Sequence, residues 1–169
     1  MAIEEPQFQV LMEEGAFSVR KYGAVVLAET EVEGAFEDAG NRAFSKLAGY
    51  IFGKNSSEQK IAMTAPVGME PSGSRYKVQF TMPGTFSLQT LPAPDEKSVR
   101  LIEQKPRKLA VHRYSGSWSE KRYRDHELEL REWMEAKGLK TSGQAIFARF
   151  NSPWTLWFLR RNEVWIPVE

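Results

Sequence analysis

The sequence predicts an α+β fold, with one antiparallel sheet, curled or barrel-like, and two helices against it. Three observations predict it. Runs rich in β-branched and aromatic residues alternate with short Gly, Pro and Ser turns, which suit hairpins better than parallel crossovers. Two longer segments carry apolar residues at helical spacing. The order strand, helix, strand, strand occurs twice along the chain.

The elements follow in order. "FSVRKYGAVVLAETEV", Phe17 to Val32, reads as one long or kinked strand, with Phe17, Val19 and Lys21 on one face and Ser18, Arg20 and Tyr22 on the other. "GAFEDAGNRAFSKLAGYIFGKN", Gly34 to Asn55, reads as a helix whose stripe is Phe36, Ala39, Ala43, Leu47 and Tyr50, with Ile51 beside it. Glu37 and Asp38 favour its first turn, and Gly53 is its expected stop. Phe44 and Phe52 fall off that stripe, so the helix is apolar over more than one face and invites a second layer or a ligand. "KIAMTAPVGME" and "YKVQFTMP" read as two strands around the turn "PSGS". "LPAPDEKS" is a Pro-rich loop near the middle of the chain. "VRLIEQKPRKLAVHRYSG" holds two strand-like runs. "SEKRYRDHELELREWMEAKG", Ser119 to Gly138, is a second helix with the stripe Tyr123, His126, Leu130 and Trp133, Met134 beside it, and Gly138 at its end. "GQAIFARF" and "EVWIPV" close the chain as strands. "FSVRKY" resembles "LAVHRY", 92 residues on, which marks the start of each half.

Composition excludes several chemistries. With 169 residues the chain suits one domain that buries a sizeable core. It has no cysteine, which removes disulfides, iron–sulfur clusters, thiolate zinc sites and cysteine nucleophiles. Only His112 and His126 are present, so no multi-histidine metal centre is expected. Lys and Arg number 23 against 22 Asp and Glu, a net charge of +1 that leaves no footprint for nucleic acid. The acidic start "MAIEEPQFQVLMEEG" has no long apolar run, and no stretch approaches a membrane span, so the chain reads as cytoplasmic. There is no nucleophile elbow, phosphate loop or dinucleotide fingerprint.

Four motifs remain. In "KIAMTAPV" Pro66 has no N–H to give a ladder, so its strand must be at an edge, bulged or ending there. Met63 either packs at that strand end or fills against a flat ligand. In "RRNEVWIPV" Glu163 either pairs with Arg160 or Arg161 to fix a turn, or the arginines clamp a carboxylate. Trp154 and Trp157, on the Pro-containing loop "NSPWTLWFL", either cap the core or wall a ligand cleft. His126 and His112 read as buried neutral histidines, with an axial ligand as the competing role for His126.

"KIAMTAPV" and "PWTLWFLRRNEVWIPV", supported in order by "VRKY", "GYIFGKN", "VQFTMP", "LPAPDEKSVRL" and "SGSWSE", resemble the SOUL haem-binding protein family, in the form of its bacterial members. The likeness covers residues 8 to 168. It implies a distorted eight-stranded antiparallel β-barrel with two flanking helices, a pseudo-twofold duplication of a βαββ unit. That is one domain over residues 1–169, with halves near 8–90 and 98–168. It also implies a non-catalytic binder of haem or a related tetrapyrrole, held non-covalently, with no nucleic-acid partner. The family's proposed cleft maps here to Phe44, Leu47, Ala48 and Ile51 on the first helix, with Met63 nearby and Pro153, Trp154 and Trp157 on the loop opposite. Asn41 stands at one of the places proposed to meet propionates, with Arg42 and Lys46 close by. Lys21 stands where some animal members carry a histidine proposed as an iron ligand. The fold is similar to the gyrase-inhibitor-like effector-binding domains. That likeness supplies the rival expectation of an effector module or hydrolase using Glu163 or Tyr114 on a hydrophobic small molecule.

Overall fold

The computed structural model describes residues 3–152 and 154–169. Among the described residues the chain forms nine antiparallel strands and two α-helices, an α+β fold arranged as two compact units. The first unit holds residues 24–105 and the start of the chain before Gln7; the second holds residues 7–23 and 106–169. Among the described residues no helix is long and apolar enough to cross a membrane.

The first unit contains β3 (Val25–Glu33), α1 (Phe36–Ile51), β4 (Val67–Ser72), β5 (Arg75–Thr81) and β6 (Arg100–Gln104). Its strands lie in the order β4-β5-β3-β6, all antiparallel. The pairs Ala28↔Phe80, Thr30↔Val78 and Val32↔Tyr76 share a face, and α1 packs on it: the Phe44 ring meets Phe80 at 5.3 Å and Phe36 meets Tyr76 at 5.6 Å. From the helix, Ala39, Ala43, Leu47, Tyr50 and Ile51 are buried there, which is the predicted stripe. The other face of β3 turns polar from Glu29 onward. Buried Glu29 accepts from Gln79 Nε2 at 2.9 Å and Arg100 Nη2 at 2.7 Å, so the carboxylate is paired where water is scarce.

The helix is closed at its C-terminus by a residue the sequence reading passed over. Gly53, at φ +120°, turns the chain as expected. Asn55 does the rest: its Nδ2 donates to Tyr50 O and Gln59 O, and its Oδ1 accepts from the Ser57 and Gln59 amides. All of its hydrogen-bonding capacity is used in a buried position.

"KIAMTAPV" is not a strand over most of its length. Residues 60–66 stay outside the ladder apart from a bridge between Thr64 and Glu4, and β4 begins only at Val67. Pro66 follows a cis peptide bond and offers no donor. The neighbouring amides find other partners: Ile61 N donates to Ile51 O at 2.7 Å and Ala65 N to Glu4 O at 2.9 Å.

The second unit contains β1 (Phe8–Glu14), β2 (Phe17–Tyr22), β7 (Arg107–Ser115), α2 (Glu120–Ala136), β8 (Ile146–Arg149) and β9 (Arg161–Val168). Their order is β1-β2-β7-β9-β8. The predicted long strand therefore breaks between Tyr22 and Val25, and only its first part, β2, pairs with β7. Each unit builds the same core order, β4-β5-β3 in one and β8-β9-β7 in the other, around one helix. The ninth strand, β1, is exposed along its whole length, so no buried face marked it in the sequence. α2 is capped by Ser119, whose side chain accepts from Arg122 N at 3.2 Å. One sheet face, carrying His112, Tyr114, Phe147 and Val164, meets α2; the other buries Tyr22, Leu109, Val111, Ile146, Ala148 and Trp165 together.

Candidate functional site

The solvent side of α1 is set by the same 3.6-residue period that buries its stripe. Leu47 and Ile51 are sealed in the core and present almost no surface, although the sequence places them in a cleft wall. Phe44 is 40% exposed, Ala48 is half-buried and Phe52 lies open just past the helix end. Around them, Asn41 and Arg42 are exposed, and half-buried Lys46 donates to Ser98 Oγ at 3.3 Å. Met63 is half-buried in the extended segment before β4. The helix thus presents an aromatic and aliphatic surface with two cations beside it.

The loop before β9 carries five exposed large apolar side chains. Trp154 is 91% exposed and Trp157 61%, and Leu156, Phe158 and Leu159 are open too. They do not cap the core. The loop is nevertheless ordered by polar contacts at its base. Leu159 N donates to Leu156 O within the single turn of 3-10 helix at Trp157–Leu159, and Arg160 Nε donates to Thr155 O at 2.9 Å. The Arg160 guanidinium sits 4.1 Å from the Trp118 ring centroid, and that of Arg161 lies 3.7 Å from Phe150. Pro153, expected on this loop, lies outside the described residues.

A shallow depression of about 660 Å³ opens in the second unit between Leu11, Lys21, Pro106, Arg107, Lys108 and Val168. It was not foreseen as a unit, because its cations come from two distant segments and meet only through the β2–β7 register, Lys21 opposite Lys108 and Tyr22 opposite Arg107.

The polar groups considered for catalysis are held in structure. Glu163 pairs with Arg20. Arg20 Nη1 donates to Oε1 at 2.8 Å, Nη2 to Oε2 at 3.0 Å, and Trp165 Nε1 adds a third bond at 2.8 Å. The sheet brings this partner from 143 residues away. Burial works against the charge on Arg20, yet the Glu163 carboxylate outweighs it and holds the guanidinium's pKa above its usual range. Tyr22, whose hydroxyl accepts from Arg20 at 3.0 Å, is pushed up to about 12, first by burial and against the pull of Arg20. Tyr114 is buried and stacks on His126 at 3.7 Å; desolvation drives its pKa far upward, so it stays a neutral phenol. The two histidines meet between β7 and α2, with ring centroids 4.9 Å apart. Burial lowers the His126 pKa, helped by His112 and opposed by Glu129.

Comparison with known proteins adds three findings. The family described as SOUL heme-binding protein matches residues 3–167. Human heme-binding protein 2 is 31% identical over 162 residues, 90% of this chain and 78% of that protein; mouse heme-binding protein 1 is 27% identical, covering 93% and 84%. Among solved structures, a hydrolase from Listeria innocua superposes with a TM-score of 0.64 over 94% of each chain. Its 10% identity makes this a likeness of fold alone.

Proposed function

The chain belongs to the SOUL haem-binding protein family, and we propose that it is a non-catalytic carrier of haem or a related tetrapyrrole. The observation that carries this reading is the family match across residues 3–167. The surface chemistry supports it. A porphyrin presents two wide apolar faces and a carboxylate edge. On α1, Phe44 and Ala48 offer apolar contact, with Arg42 and Lys46 placed for the carboxylates and Asn41 beside them. Leu47 and Ile51 shape this surface from beneath. Met63 is the adaptable apolar side chain of the adjoining segment. In the second unit, Trp154 and Trp157 supply flat rings already exposed to a ligand. Burying ~200 Å² of apolar surface contributes about 5 kcal/mol, enough to hold a macrocycle without a bond to iron.

Both histidines lie between β7 and α2 in the second unit, and neither is assigned to haem iron. The enzyme reading is not favoured. Glu163 has its oxygens committed to Arg20 and Trp165, and Tyr114 is kept neutral by burial.

Titration of haemin and of metal-free protoporphyrin into the protein tests the proposal. Both are expected to give saturable absorbance changes and to quench tryptophan emission, because the hold is apolar. Phe44→Asp and the double change Trp154→Ser, Trp157→Ser are each expected to weaken binding about tenfold or more. Absence of saturable binding by either ligand would overturn the reading. Binding of haemin alone would overturn its iron-independent form.

A further inference from the structure

The space between β7 and α2 in the second unit holds a set of groups that tetrapyrrole binding does not use. His112 stands on β7, flanked by Phe17, whose ring stacks on it at 4.3 Å. His126 and Glu129 stand one turn apart on α2 and so project from the same side of the helix. His112 Nε2 lies 3.6 Å from Glu129 Oε2, and His126 Nδ1 lies 3.5 Å from the same oxygen. All three donor atoms fall within 4.8 Å of one another.

These separations are longer than a hydrogen bond. A charge-assisted hydrogen bond closes to roughly 2.7–2.9 Å. At 3.5 and 3.6 Å neither ring nitrogen is bonded to the carboxylate, and His126 Nδ1 is buried with no hydrogen-bond partner. Two nitrogen and oxygen ligands at zinc distances of about 2.0–2.2 Å stand roughly 3.3–3.5 Å apart across a tetrahedral edge. The two separations from Glu129 Oε2 are close to that edge.

The tautomer of His112 points the same way. Its Nδ1 lies 3.3 Å from the carbonyl oxygen of His126, which can only accept, so Nδ1 carries the proton. Nε2 then carries the free lone pair, 3.6 Å from Glu129 Oε2. A ligating histidine is commonly fixed by this kind of bond from its other nitrogen. The His126 ring is held by stacking on Tyr114 at 3.7 Å, so both imidazoles are oriented before any ligand arrives.

We propose that His112, His126 and Glu129 form a binding site for a divalent transition-metal ion of the zinc class. Two neutral imidazoles and one carboxylate satisfy three positions of a tetrahedron. Glu129 is half exposed at the rim of the cluster, so the fourth position faces solvent and takes water.

The test uses the full chain, stripped of metal by dialysis against a chelator and free of tetrapyrrole. Zn²⁺ is titrated in competition with a chromophoric chelator, and Co²⁺ serves as a spectroscopic probe of coordination. The expected result is one equivalent of tightly bound Zn²⁺ and the visible d–d bands of four-coordinate Co²⁺. Glu129→Gln, at a half-exposed position, and His126→Phe, which keeps a ring against Tyr114, are each expected to weaken Zn²⁺ about tenfold or more. Circular dichroism of both variants checks that the fold persists. No binding by the parent protein, or parent-like affinity in either variant, would overturn the site.

Discussion

Removing one partner of the Arg20–Glu163 pair should unfold this protein more readily than any surface change. The side chains are 12% and 2% exposed, and the carboxylate accepts three N–H bonds at 2.8–3.0 Å. Arg20→Met leaves Glu163 charged and buried with Trp165 as its remaining donor. Glu163→Met leaves the guanidinium with Tyr22 alone among its named partners. Breaking a buried pair from one side costs about 3–5 kcal/mol, because the survivor keeps its desolvation penalty. For a chain of this size, about 2–4 °C of melting temperature per kcal/mol makes that a fall of roughly 6–20 °C. Removing both charges together should cost markedly less than the sum, since no ion is stranded. The assay is urea unfolding of the four proteins near neutral pH, followed by circular dichroism and tryptophan emission. Single variants losing less than about 1 kcal/mol, or a double variant equal to the sum of the singles, would refute the argument. The latter would show that the two groups do not act on each other.

Two further predictions rest on single residues. Tyr22 has its pKa raised from the usual 10.0 to about 12, so the folded state keeps its proton longer than the unfolded state does. Its stabilising contribution is complete below pH 10 and is lost as pH rises toward 12. Urea midpoints measured across that window should fall less steeply in Tyr22→Phe than in the parent, and equal slopes would contradict the assignment. Asn55→Ala removes two donated and two accepted bonds at the end of α1 and leaves Tyr50 O without its side-chain donor. A loss of about 1–3 kcal/mol is expected, with hydrogen exchange accelerated first around residues 50–59. Uniform acceleration across the chain would argue against a local closing role.

The elements legible in the sequence are those whose pattern is local. The stripes of α1 and α2 follow from spacing alone, and Gly53 and Gly138 end the helices through positive φ, +120° and +70°. The alternation in "FSVRKY" also holds, because Arg20 and Tyr22 share the sheet face that buries Glu163 and Trp165. What the sequence hid was non-local. Arg20 and Glu163 are separated by 143 positions, and no spacing rule joins them. β1 escaped notice because its alternation of Phe8, Val10 and Met12 is interrupted by Leu11 and no position along it is buried. The segment around Met63 looked like a strand because its side chains suit one; its backbone partners, Glu4 and Ile51, lie outside any ladder.

The same distinction bears on where ligands act. Apolar residues at stripe positions, such as Leu47 and Ile51, are explained completely by the core they fill, so their hydrophobicity says nothing of a ligand. Phe44, Trp154 and Trp157 are different, because the fold gains little from leaving them open to water. The loop bearing the two tryptophans is held at its base by Arg160 bonded to Thr155 and by Asn151 Oδ1 accepting from Arg161 N at 2.5 Å. A loop fixed by polar contacts while its large rings stay outside keeps its shape without using them. Its aromatic surface is therefore available to a ligand without first breaking the packing that stabilises the unit. The histidine pair reaches the same condition by another route. The burial that costs His126 Nδ1 its hydrogen bond also holds its ring in place against Tyr114, so a metal would find the nitrogen already positioned.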